Sequence, residues 1–178
     1  MLLCQALETV VEHPGKPLLL RLADMRAVKE AGVELFPKPL DQLQLDCIHI
    51  LLGRGLHVMD EAFVLGFTVG SIKKVHDREE HWHAMLKRHV YPHIPQFAGQ
   101  EIAVCRNGLR LAYISNCMAL DQCDFSTWFD HSLHDIRAAI GVESELLRTC
   151  YELETRRYPA CMASQRLLPP MRNTACQS

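Results

Sequence analysis

The amino-acid sequence predicts an all-α protein, one compact single-domain helical bundle, and three observations carry that reading. Apolar residues recur near three- and four-residue intervals along most of the chain, the spacing that gathers them on one face of a helix. The most apolar stretch, residues 58–69, is longer than an ordinary buried strand and fits a buried helix. Helix start and stop signals, such as Ser132 with Asp135 and then Gly141, punctuate these segments.

Taken in order, residues 2–12 read as a short helix halted by Pro14 and Gly15. A second helix is expected from Pro17 to Ala31, with Leu18, Leu19, Leu22, Met25 and Val28 near helical spacing and Gly32 at its exit. The Phe36-Pro37-Lys38-Pro39 segment is a stiff connector, because each proline restricts itself and its predecessor. A helix over Leu40–Leu52 ends at Gly53 and Gly55, and the helix over Val58–Val69 follows. Within it Gly66 and Gly70 share a face, where a neighbouring backbone or a ligand can come close.

Asp77 and Glu80 have capping-box spacing ahead of a helix whose face carries Trp82, Met85, Leu86 and His89, and Tyr91-Pro92 ends it. The region 101–123 admits two readings. Asn107-Gly108 suits a hairpin turn, whereas Ala103, Leu109, Leu111 and Ala112 suit a helical core, and helix is the expectation adopted. Ser132 and Asp135 cap a helix through Ala139 that closes at Gly141. The last clear helix, Glu143–Arg157, turns Leu146, Leu147, Cys150, Tyr151 and Leu153 towards the core. One domain over residues 1–170 is expected, with 171–178 a frayed tail.

The composition excludes several classes. A chain of 178 residues with 48% hydrophobic and 22% charged residues can bury one core, and is too apolar for disorder. The formal charge of −2 is mixed along the chain, without a basic run that would track a phosphate backbone, so no nucleic acid is expected as partner. The first residues fail as a signal peptide, and no apolar run reaches transmembrane length, which predicts a cytoplasmic protein. The eight cysteines include no CxxC pair, and reduced, mostly buried thiols are expected. Ser71 lacks a GxSxG setting, and neither a P-loop nor a dinucleotide fingerprint occurs.

The most informative group is Asp46, His49 and Glu61. Asp46 and His49 are neighbours on one helical face, and the glycine-bearing link Gly53–Gly55 lets the next helix fold back with Glu61. A histidine between two carboxylates can ligate a divalent metal, zinc among others. The same trio can act as a general acid–base unit, or serve only as a structural ion network.

At these residues the chain resembles the Coq4 family of ubiquinone (coenzyme Q) biosynthesis proteins, which is marked by HDxxH, eleven residues and Glu. Asp46 and His49 match the second and third positions, Ile50 to Asp60 are the eleven, and Glu61 is the final glutamate. The likeness spans residues 40–70, and Leu45 stands where the family has its first histidine. His57 is the nearest residue that could replace it.

The resemblance implies an apolar cavity for a prenylated aromatic or isoprenoid ligand, and metal-dependent oxidative decarboxylation coupled to hydroxylation of the ring. Asp46, His49 and Glu61 would hold the ion, while Phe63, Gly66, Phe67 and Gly70 would line the way in for the isoprenoid tail. Contact with other quinone-biosynthesis proteins, a homodimer and peripheral attachment to the inner membrane face would follow. Two readings compete with this enzyme: a non-catalytic isoprenoid- or quinone-binding carrier or scaffold, which the loss of histidine at Leu45 favours, and an unrelated helical interaction protein.

Other residues are read more plainly. His76, His81, His83, His89 and His93 are not expected to form a ligand set, and His89 is expected as a hydrogen-bonded core histidine. Trp82, Trp128 and Phe129 are expected to pack, although Trp128-Phe129 would also suit a dimer or membrane contact. Arg156, Arg157 and Tyr158 read as a solvated helix end.

Overall fold

A computed structural model describes residues 1–8, 18, 38, 40–73 and 79–165. The described residues form an all-α bundle without a β-sheet. Helix α1 spans Leu3–Leu7, α2 Gln42–Leu51, α3 Val58–Lys73 and α4 Glu79–His89. Helix α5 is Gly99–Ser115, α6 Leu133–Ile140, α7 Ser144–Arg157 and α8 Met162–Gln165. Short 3₁₀ turns at Tyr91–His93, Leu120–Gln122 and Phe125–Trp128 link them. The expected helix over 17–31 (Leu18 apart), the connector at 36–39 (Lys38 apart), the Asp77 cap and the C-terminal tail lie outside the described residues.

The packing of α3 on α5 is the most extensive helix–helix contact among the described residues. Glycines make it possible. A methyl group on Gly66 would overlap the carbonyl of Cys105, and one on Gly108 would overlap that of Phe63. One on Gly70 would sit 2.8 Å from the Ala112 methyl and from the Leu109 carbonyl oxygen. Gly108 therefore neither turns a hairpin nor interrupts a helix: it lies inside α5, exchanging helix propensity for close backbone approach. Phe63 and Phe67 are fully buried and stack at 6.3 Å between centroids.

Local chemistry sets the helix ends. Asp41 caps α2 reciprocally: its carboxylate accepts from Gln44 N at 2.8 Å, and Gln44 Oε1 accepts from Asp41 N at 3.1 Å. Ser132 Oγ accepts from Asp135 N at 3.1 Å, and Gly141 closes α6 at φ +78°. Ser71 has a structural task, since its hydroxyl donates to Thr68 O at 2.7 Å and accepts from Leu120 N at 3.2 Å.

Two expectations need correction. Leu153 does not face the core: it is 55% exposed, and Glu154 is buried in its place. The buried residues of α7, Leu147, Tyr151 and Glu154, follow the helical repeat, so a carboxylate occupies the apolar stripe. His89 is only half-buried, at the end of α4. Trp128 packs edge-on against Phe125, and Arg156 and Arg157 are exposed at the end of α7. The seven cysteines among the described residues are free thiols, and Cys47, Cys105, Cys117 and Cys123 are buried. Burial pushes the Cys47 and Cys105 thiols up to about 12. No helix among the described residues is long and apolar enough to cross a membrane.

Candidate functional site

Helix α2 turns Leu45, Ile48, Leu51 and Leu52 into the core. His49 travels with them and is 5% exposed. Its Nδ1 lies 2.8 Å from the carbonyl oxygen of Gly55, so the imidazole ties the end of α2 to the link that follows. Asp46 is half-buried, and its Oδ1 accepts from Gln42 Nε2 at 2.9 Å, one turn earlier in the same helix. Glu61, in the first turn of α3, is half-buried and accepts from Leu18 N at 2.9 Å.

These partners matter for the expected metal. No group of three or more His, Cys, Asp or Glu side chains able to hold a metal ion occurs among the described residues. Leu45, on the same helix as His49, is fully buried. His57 is exposed, and its Nδ1 accepts from Met59 N at 3.3 Å.

The charged centre of this region lies one residue away from the trio. Arg54 and Asp60 are 5% and 1% exposed, and Glu154 is 2% exposed. Arg54 donates from both terminal nitrogens to the two carboxylate oxygens of Glu154, each at 2.9 Å, the fork geometry in which guanidinium and carboxylate match best. Asp60 Oδ1 lies 3.7 Å from Arg54 Nη1, and Ser164 Oγ donates to Glu154 at 3.1 Å. The guanidinium also lies over the Phe63 ring, 3.8 Å from its centroid, with the Tyr151 ring at 5.0 Å. The group joins the α2–α3 link to α7 and α8. Gly53, at φ +62°, supports it: any side chain there would be strained, and its Cβ would meet the Tyr151 hydroxyl at 3.1 Å.

The sequence reading did not find Arg54, Asp60 and Glu154. Arg54 and Glu154 are a hundred residues apart, which hides the pair, but Glu154 on the apolar repeat of α7 was a legible sign of a buried acid.

A cavity of about 380 Å³ opens beside this link. Ile50, Gly53, Arg54, Gly55 and Asp60 form one side, with Leu133 among the residues opposite. A second cavity, of about 450 Å³, lies between His57, Glu101, Arg157 and Cys161. Phe63, Gly66, Phe67 and Gly70 line neither: the aromatics are core, and the glycines face α5.

His83 is half-buried on α4 and has its pKa lowered, by burial first and then by Arg106. The histidines of this helix gather no metal-ligand set among the described residues. No family model, curated protein or solved structure matches the chain.

Proposed function

We propose that this chain is a Coq4-like protein of quinone biosynthesis that binds an isoprenoid or quinone as a carrier or scaffold, without a resident metal. One observation carries the reading. The segment that resembles the family also walls a cavity of about 380 Å³, through Ile50, Gly53, Arg54, Gly55 and Asp60. That volume is within the range of about 300–1,000 Å³ common for small-molecule sites. The carrier is favoured over the zinc-dependent enzyme because Leu45 stands where the family has its first histidine. On this reading His49 orders the Gly53–Gly55 wall rather than performing acid–base chemistry. The protein works in the cytoplasm against the inner membrane face, as a homodimer or beside other quinone-biosynthesis proteins.

The test combines metal content with ligand binding. Wild type, His49→Ala and Ile50→Trp are purified mildly, checked for folding and analysed for metal per chain. Each is then titrated with a short-chain prenylated benzoquinone. The expected result is no stoichiometric metal in any variant, with quinone binding in wild type and loss of binding in Ile50→Trp, where indole fills the cavity. Near-stoichiometric metal lost only in His49→Ala would restore the metal-dependent enzyme. Absence of quinone binding by the folded wild type would remove the carrier reading.

A further inference from the structure

Helices α4 and α5 present a charged face well away in sequence from the α2–α3 link. Glu79, His83 and Lys87 are spaced four apart on α4, and Arg106, Arg110 and Ile114 are spaced four apart on α5, so each set forms a ladder along its helix. Glu79 joins the ladders: its Oε1 accepts from Arg106 Nε at 3.4 Å and from Arg110 Nε at 2.7 Å. Both arginines stay accessible, with side chains 37% and 47% exposed, and Lys87 is exposed.

The charge is unbalanced. Among the described residues, the ionised groups that act on His83 are Arg106, Glu79, Lys87 and Arg110, three cations against one anion. With His83 neutral, these four groups carry two net positive charges on a chain whose formal charge is −2. Exposed apolar side chains follow the cations along the chain. Ile114 ends the arginine ladder at 65% exposure, and Met118, just past the helix, is 50% exposed. Cations next to exposed apolar anchors are what an anionic lipid interface selects: the first meet headgroups, and the second enter the acyl boundary. A purely polar polyanion would give Ile114 and Met118 nothing to bury.

We propose that the face formed by Lys87, Arg106, Arg110, Ile114 and Met118 docks the protein on an anionic phospholipid surface. This names the surface for the peripheral membrane contact put forward above, and does not depend on the cavity or its ligand.

The experiment is co-sedimentation of the full chain with vesicles of phosphatidylcholine, plain or doped with phosphatidylglycerol. Wild type, the double variant Arg106→Gln/Arg110→Gln and Glu79→Gln are compared, with folding checked by circular dichroism. Wild type is expected on the doped vesicles alone, and to be released as salt shortens the Debye length towards about 3 Å. Each cation removed weakens partition about fivefold, so the double variant loses about 25-fold. Glu79→Gln, which removes the anion that bridges both arginines, binds more tightly while its circular dichroism stays that of wild type.

Equal binding of wild type to plain vesicles would overturn the proposal. So would unchanged binding by the double variant, which moves the membrane contact elsewhere on the molecule. Failure of folded wild type to bind any vesicle would remove the peripheral contact as well. Binding to heparin but not to vesicles would assign the face to a macromolecular polyanion instead.

Discussion

Replacing Glu154 with alanine isolates the most consequential charge in the fold. The Arg54 side chain is fully buried, and its two terminal nitrogens are held at 2.9 Å by Glu154. After Glu154→Ala the nearest anion is Asp60 at 3.7 Å, and the Phe63 and Tyr151 rings provide only weak compensation. Ser164 also loses the acceptor it has at 3.1 Å. Stranding one member of a buried ion pair costs about 3–5 kcal/mol, because the remaining charge stays desolvated. For a chain of this size that corresponds to a fall of about 6–20 °C in Tm. Urea denaturation read by circular dichroism measures it.

Glu152→Ala is the control on the same helix. Glu152 meets Arg148 at 3.5 Å, but those side chains are 41% and 64% exposed, so water and salt screen the pair. That change is expected to stay within about 1 kcal/mol. Arg54→Met should cost no less than Glu154→Ala, since it leaves the Glu154 carboxylate buried without its cation. A Glu154→Ala cost as small as that of Glu152→Ala would refute the reasoning, and would mean that the pair is open to solvent in solution.

Two further outcomes follow from packing and titration. Gly66→Ala gains about 1 kcal/mol of helix propensity, yet its methyl meets the unyielding Cys105 carbonyl, and the net loss expected from overpacking is about 2 kcal/mol. Gly99→Ala, with open space around its Cβ, should be neutral or slightly stabilising in the same denaturation series. His83 has a folded pKa below its unfolded value of about 6.5, so the unfolded chain binds the proton first as pH falls. Its contribution is therefore fully present above that unfolded value and is lost as pH drops through the folded one. Subtracting the pH–stability profile of His83→Leu from that of wild type should reveal this component, and identical profiles would count against it.

The sequence determined the helices because their signals are local. Asp41 with Gln44, and Ser132 with Asp135 and Gly141, satisfy helix ends from residues three to nine positions apart, so their chemistry is readable in one line. The burial of Leu45, Ile48 and Leu51 and of the 58–69 segment likewise follows from apolar spacing. Spacing also marked the neighbourhood of the site: the 46–61 segment borders both the buried ion group and a cavity.

The tertiary structure decided which side chains meet. Asp60 and Glu61 are adjacent, but successive helical positions differ by about 100° in direction. Asp60 therefore reaches Arg54 in the interior while Glu61 is held at the half-buried edge by Leu18 N. Gly66 and Gly70 were consistent with a ligand or a backbone as neighbour, and only the arrival of α5 fixed the answer. The pairing of Arg54 with Glu154 closes a loop of a hundred residues, and no local preference encodes it. It arises because the apolar stripe of α7 must be buried, and that burial carries a carboxylate to the one depth where a guanidinium makes it affordable.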